Sequence, residues 1–365
     1  MPGHCKPEVD ELLSSWLTRL SLAHGLDVRT LGAMLRPGKG LGSGDIDRCA
    51  DPTILEVLAK KTATPLNQVL TTRLKAYEGR LFIELKSNST RWLLMNAMQG
   101  YRRQLPALQF CPQCLRSDPS PYFRHHWRLG FVTVCGQHRQ RLLDCCPVCQ
   151  EPVNYQCLER EAHSITYCHQ CRFDLRWAQA PTLDDTSLHQ CLILLQKNLL
   201  DALKTGCYSL SSEIVTPLDY LQVLHQLARL LLTRRHADYR RDRLCHRLGL
   251  AAFEPCFRAP RLRIVEALPA HDRFQLMRLL AWWLSDWPER FITVCFDALI
   301  WSRDLLAGIP APPRWYEYTA QQVNCSNALS RVLKLLEADM AGEDLKQDII
   351  YQTAPLESES SAPSH

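Results

Sequence analysis

Between positions 111 and 171 cysteine and histidine recur in pairs three positions apart, and nothing else in the chain restricts its fold so strongly. The pairs read C-P-Q-C at 111–114, C-G-Q-H at 135–138, C-P-V-C at 146–149 and C-H-Q-C at 168–171. A turn of this kind aims two ligand atoms at one point, and two such turns complete a tetrahedron of soft donors suited to Zn²⁺. Taken in chain order they form one set of Cys111, Cys114, Cys135 and His138, and a second of Cys146, Cys149, Cys168 and Cys171. The expectation is two Zn²⁺ per chain in closed, structural sites. A cross-brace, with the first and third pairs sharing an ion, is left open by the spacing.

Other uses of these residues fit less well. The chain has 17 cysteines, an odd number, and its opening MPGHCKPEVDELL lacks the basic-then-apolar order of an export signal, so reduced thiols in the cytoplasm are expected rather than disulfides. A redox dithiol needs a thioredoxin-like strand and helix around one pair. Catalytic zinc keeps a coordination place open, whereas each set here fills all four. A zinc deaminase needs H-x-E and P-C-x-x-C, but Arg139 and Gln140 follow His138 and Cys145 precedes Cys146. The reading is therefore not an enzyme. Cys145, Cys157, His125, His126, His163 and His169 remain as spare ligand types, with Cys145 the alternative to Cys146; the two histidines at 125 and 126 are read as packing or surface residues.

The 365 residues are 46% hydrophobic, and outside this block the chain reads as soluble and helical, with no apolar run near the roughly 20 residues that cross a bilayer. Val9, Leu12, Leu13, Trp16, Leu17 and Leu20 make one helical stripe that Gly25 can end. In LEVLAKKTATPLNQVLTTRL, from Leu55 to Leu74, two helices meet at a tight turn around Ala63, the second starting with Thr64 as N-cap and Pro65 at its first position. This is the outline of a helix-turn-helix, with Ala63 where glycine is usual. Asn67, Gln68, Thr71 and Arg73 would face outward if the second helix reads a groove; a plain helical hairpin is the alternative. After residue 181 amphipathic runs return, and Trp282, Trp283 and Trp287 are expected in the core. The predicted organisation is mainly α with small zinc-ribbon β: an N-terminal helix-turn-helix domain over 1–105, a tandem zinc module over 106–180, a helical C-terminal domain over 181–345 and a disordered tail over 346–365.

A net charge of +5 permits anionic partners without requiring them. The densest basic stretch, RLLLTRRHADYRRDRLCHR, holds Arg229, Arg234, Arg235, Arg240, Arg241, Arg243 and Arg247, and Arg258, Arg261 and Arg263 follow it. Either it offers guanidinium forks to phosphate, or it is a solvated helical face partly neutralised by Asp238 and Asp242.

Three stretches, DELLSSWLTRLSLAHG from Asp10, the whole of 111–153 with PYFR and WRLGFVTVC between its metal turns, and more weakly LLAWWLSDWPERF from Leu279, resemble the TniQ family of transposon target-selection proteins, which includes the TnsD branch. The resemblance implies a non-catalytic adaptor. Such a protein recognises attachment-site DNA or sits on an RNA-guided CRISPR effector complex, then recruits an AAA+ ATPase that brings in the transposase. A homodimer is also implied by relatives from CRISPR-linked systems. No G-x-x-x-x-G-K-[ST] phosphate loop is present. The competing reading is a zinc-ribbon and helix-turn-helix transcription regulator that binds DNA directly.

Overall fold

The computed structural model describes residues 5–38, 40–41, 44–86, 90–94, 107–211, 213–233, 236–257 and 264–324. The tail at 346–365 and Arg234, Arg235, Arg258, Arg261 and Arg263 lie outside them. The described residues are mainly helical, with 13 α-helices and two short antiparallel hairpins.

Five helices open the chain: α1 (Leu13–Ala23), α2 (Val28–Leu35), α3 (Ile46–Cys49), α4 (Pro52–Thr62) and α5 (Leu66–Thr71). Leu13, Trp16, Leu17, Leu20, Leu31, Leu55, Leu58 and Val69 make a separate apolar cluster among them. The α1 stripe begins later than expected, because Asp10 turns the chain with φ 62° and leaves Val9 88% exposed. Asp27 and Asp51 cap α2 and α4, accepting from Thr30 N at 2.7 Å and Thr53 N at 2.9 Å, so one orphan amide at each start is met by a side chain, and Pro52 removes a second at the start of α4. Gly25, at φ 64°, follows the end of α1. Ala63 closes α4 in the left-handed region at φ 47°, the conformation that makes glycine usual at this turn. Thr64 is not the cap of α5, which starts at Leu66 after Pro65; it is buried instead, with its hydroxyl 2.8 Å from that of Thr62.

The cysteine-rich segment has little regular structure: α6 (Pro112–Ser117), and β1 (Val134–Cys135) paired with β2 (Gln140–Arg141). The stretch between its first two turns supplies its interior. Phe123, Trp127, Leu129, Phe131, Val132 and Val134 are all buried, so FRHHWRLGFVTV is core rather than a spacer. Arg128 from this stretch is 1% exposed and reaches Asp47 at 3.0 Å, Asp45, and the Leu94 carbonyl at 3.0 Å. Asp47 also accepts from Ser14 N at 2.8 Å and Ser14 Oγ at 2.7 Å, and Ser14 Oγ lies 2.7 Å from the Tyr155 hydroxyl. One buried polar chain thus links α1 and α3 to both halves of the cysteine-rich segment. Burial and the neighbouring Asp45 charge push Asp47 up to about 6 against the pull of Arg128.

The C-terminal part contains α7 (Ser187–Thr205), a hairpin of β3 (Tyr208–Leu210) and β4 (Glu213–Val215), then α8 (Pro217–Leu232), α9 (Ala237–Arg247), α10 (Ala270–Leu284), α11 (Glu289–Asp297), α12 (Ser302–Leu306) and α13 (Arg314–Gln321). Thr186 and Thr216 cap α7 and α8 through their hydroxyls. The helix α10 packs on α7, α8 and α11, and the larger apolar core runs from the cysteine-rich segment straight into these helices, across the boundary expected near residue 180. Gln196 of α7 joins the two by accepting from Thr133 N at 2.9 Å and donating to Val134 O at 2.7 Å. Of the three tryptophans expected inside, Trp283 is fully buried and stacks on Phe291, while Trp282 and Trp287 are partly covered.

Candidate metal centres and nucleic-acid surface

The four turns gather two by two in chain order. Cys111, Cys114, Cys135 and His138 have one ligand atom each within 4.8 Å of the others, and so do Cys146, Cys149, Cys168 and Cys171; the described residues show no cross-brace. Local backbone explains the convergence. Cys111 stands at the N-cap of α6 with Pro112 in its first turn, which brings Cys114 round to the same side, and the β1–β2 hairpin delivers Cys135 and His138 from across it.

The spacing within the groups fits a tetrahedral ion. With Zn–S near 2.3 Å and Zn–N near 2.05 Å, a regular site has S···S edges of about 3.8 Å and S···N edges of about 3.6 Å. In the first group His138 Nδ1 lies 3.6, 3.3 and 3.6 Å from the sulfurs of Cys111, Cys114 and Cys135, and Cys114 and Cys135 are 3.5 Å apart. In the second, Cys146 to Cys171 is 3.5 Å and Cys149 to Cys168 is 3.6 Å. A disulfide needs about 2.05 Å, so none of these pairs is bonded. The nitrogen offered by His138 is Nδ1, a choice the spacing alone did not disclose. Gln140 Oε1 stands 3.8 Å from the Cys111 sulfur beside it.

Burial and mutual hydrogen bonding shift the thiols of both groups. Hydrogen bonding from Cys114 lowers the Cys111 thiol, but its contact with Cys135 and burial together raise it, to about 11. In the second group burial pushes Cys168 up to about 12, with Cys149 and Cys171 adding to the rise. A divalent cation held here would take these sulfurs as thiolates. Cys145 stays out of the second group, its backbone bridged to Pro152.

The residues read as nucleic-acid contacts are not brought together. On α5, Asn67, Gln68 and Thr71 are exposed, and Leu66 and Leu70 beside them are 43% and 38% exposed, while Val69 alone is buried. Arg73 lies beyond the helix end, half-buried, and burial lowers its pKa. The basic stretch requires a correction. Arg240 and Arg241 are each 3% exposed: Arg240 reaches Asp304 at 3.0 Å, and Arg241 donates to Phe253 O at 2.9 Å, to Leu231 O at 2.6 Å and to Asp238. They tie α9 to α8, α12 and the segment after α9, and they have no free face for phosphate. Arg243 is exposed and donates to Asp297 O at 3.3 Å, while Arg247 pairs with the Asp297 carboxylate and lies over Trp282. Sequence reasoning missed Asp304 and Asp297 as the partners of this stretch, since they are remote in the chain.

Among the described residues no helix is long and apolar enough to cross a membrane. The TniQ family model matches residues 2–142, a span that includes all of the first ligand group and ends before Cys146. No curated protein matches the chain.

Proposed function

Since the chain belongs to the TniQ family through residues 2–142, and that domain is associated with transposition target selection, we propose that it is a non-catalytic adaptor that recognises the insertion target and recruits the AAA+ ATPase of transposition. The target is attachment-site DNA or an RNA-guided CRISPR effector complex. The observation that carries this reading is the family match joined to two gathered, four-donor groups that leave no coordination place for a reacting molecule. The eight residues Cys111, Cys114, Cys135, His138, Cys146, Cys149, Cys168 and Cys171 would hold two zinc ions. The metal would fix the cysteine-rich segment, which has few regular elements of its own, as a rigid platform.

The burial of Arg240 and Arg241 weakens a direct DNA-reading transcription regulator more than it weakens an adaptor, since an adaptor can act through protein contacts. Asn67, Gln68, Thr71 and Arg243 remain the exposed residues of the original set from which a nucleic-acid or partner contact would be built. A targeted-transposition assay in cells carrying the neighbouring transposition genes tests the proposal. Deleting this chain abolishes targeted insertion if the reading holds, and unchanged targeting removes it. Duplex binding measured at two salt concentrations then separates the modes: a steep loss with salt marks phosphate contacts, and no naked-duplex binding marks the effector-complex mode.

A further inference from the structure

A cleft of about 590 Å³ opens where the N-terminal segment, the end of α5 and the end of α7 meet. Leu200 and Leu203 of α7 and the ring of Tyr77 give it apolar walls, and Gln68 and Thr71 of α5 stand at its edge. Glu8 and Asp10 line it with side chains 44% and 36% exposed; Glu8 lies 3.3 Å from Arg19 on one side and Asp10 is held against His126, and the exposed remainder of each carboxylate faces the cleft. Glu11 also lines it, but is buried and already bound to Arg19 and Ser15. The basic side chains lining the cleft are Lys204, which is largely in solvent, and His126, which is held against Asp10.

His125 sits in the wall. It is 4% exposed, stacks on Tyr77 with ring centroids 4.6 Å apart, and its Nε2 has no hydrogen-bond partner. Burial pushes this histidine down to about 4, so it is neutral near pH 7, and its ring is hydrogen-bonded to the Arg73 backbone. With that proton given to a carbonyl, the free nitrogen is an acceptor. That nitrogen is sealed from solvent, so His125 contributes the packing of the wall and not a polar contact for an occupant.

We infer that this cleft is a docking site for a basic segment of a partner protein, one that lays the stem of a lysine or arginine on Leu200, Leu203 and Tyr77 and turns its charged head to Glu8 and Asp10. Long cationic side chains bury their methylenes in this way while their heads stay polar. The carboxylates at the rim argue against a phosphate backbone in the same place, so the α5 edge that carries Gln68 and Thr71 meets protein rather than a DNA groove. The inference deepens the adaptor proposal and rests on it for the partner's role, while the preference of the cleft is a property of the purified chain.

The test pans short random peptides displayed on phage against the full chain and measures synthetic winners by fluorescence anisotropy. Enriched peptides should carry lysine or arginine flanked by apolar residues, and should lose about tenfold or more in affinity against the double variant Glu8→Gln, Asp10→Asn. Lys60→Ala, on exposed α4 surface, should leave the affinity unchanged. Both carboxylate substitutions are at exposed groups, so the double variant should keep the fold. Absence of enrichment, enrichment of acidic peptides, or basic peptides that bind the double variant equally well would overturn the inference. So would a DNA duplex that displaces the peptides. Because no transposition is measured, a failure here leaves the adaptor reading standing, and a failed transposition assay leaves the cleft standing.

Discussion

The two ligand groups begin with nearly the same turn, Cys-Pro-Gln-Cys and Cys-Pro-Val-Cys, yet they occupy different surroundings. In the first, Cys111, Cys114 and Cys135 are 0%, 2% and 6% exposed, and the apolar FRHHWRLGFVTV stretch packs around them. In the second, Cys149 is only half-buried, Cys171 is exposed, and Val148 within the turn is 63% exposed. Equal local chemistry therefore does unequal work. The first group has three cysteines in the core that runs on into α7 and α10, while the second puts only Cys146 and Cys168 there and turns Cys149 and Cys171 toward the rim.

The largest expected effect separates the two directly. Cys114→Ala should remove one zinc per chain and cost on the order of 5 kcal/mol, because a ligand is lost inside packed core, read as a fall of about 10 °C or more in thermal midpoint with metal analysis alongside. Arg128→Met comes next, at about 3 kcal/mol by denaturant titration, since it strands Asp45 and Asp47 in a buried site. Cys171→Ala should also remove one zinc but cost only about 1–2 kcal/mol, and losses equal to those of Cys114→Ala would break the contrast. Under a chelator, zinc release followed with a metal-sensing dye should be biphasic with the rim group emptying first; a single phase would show that burial does not distinguish them.

The smallest effect concerns His125, beside the first group's core. Its folded pKa, about 4, lies below the 6.5 of an unperturbed histidine, so the unfolded chain takes up a proton that the folded chain refuses. That contribution to stability is complete above pH 6.5 and is lost as pH falls toward 4. His125→Phe should flatten the stability profile in this window relative to the parent, and parallel profiles would contradict the buried, neutral ring.

Much of this was legible in one dimension. Ligand spacing is a local property, so both four-donor groups could be named, and the amphipathic period placed the cores of α7, α8 and α10. The left-handed turn at Ala63 was also readable, although the alanine obscured it. Val9 was misplaced because periodicity cannot see the backbone reversal at Asp10. Arg240 and Arg241 were misjudged because a run of arginines looks solvated until the elements that cover it are known, and Asp304 lies 64 residues from Arg240.

The amino-acid order by itself determined the donor set and its pairing distances, because a Cys-x-x-Cys turn converges through its own backbone whatever surrounds it. It likewise determined which segments are helical. Only the tertiary structure decided that the groups close in chain order, that His138 offers Nδ1, that one group is more deeply buried than the other, and that α9 turns two of its arginines inward. Those outcomes depend on burial, which is set by contacts between residues far apart in the chain, and on electrostatic neighbours such as Asp45, Asp47 and Asp304 that acquire meaning only when the fold brings them within a few ångströms.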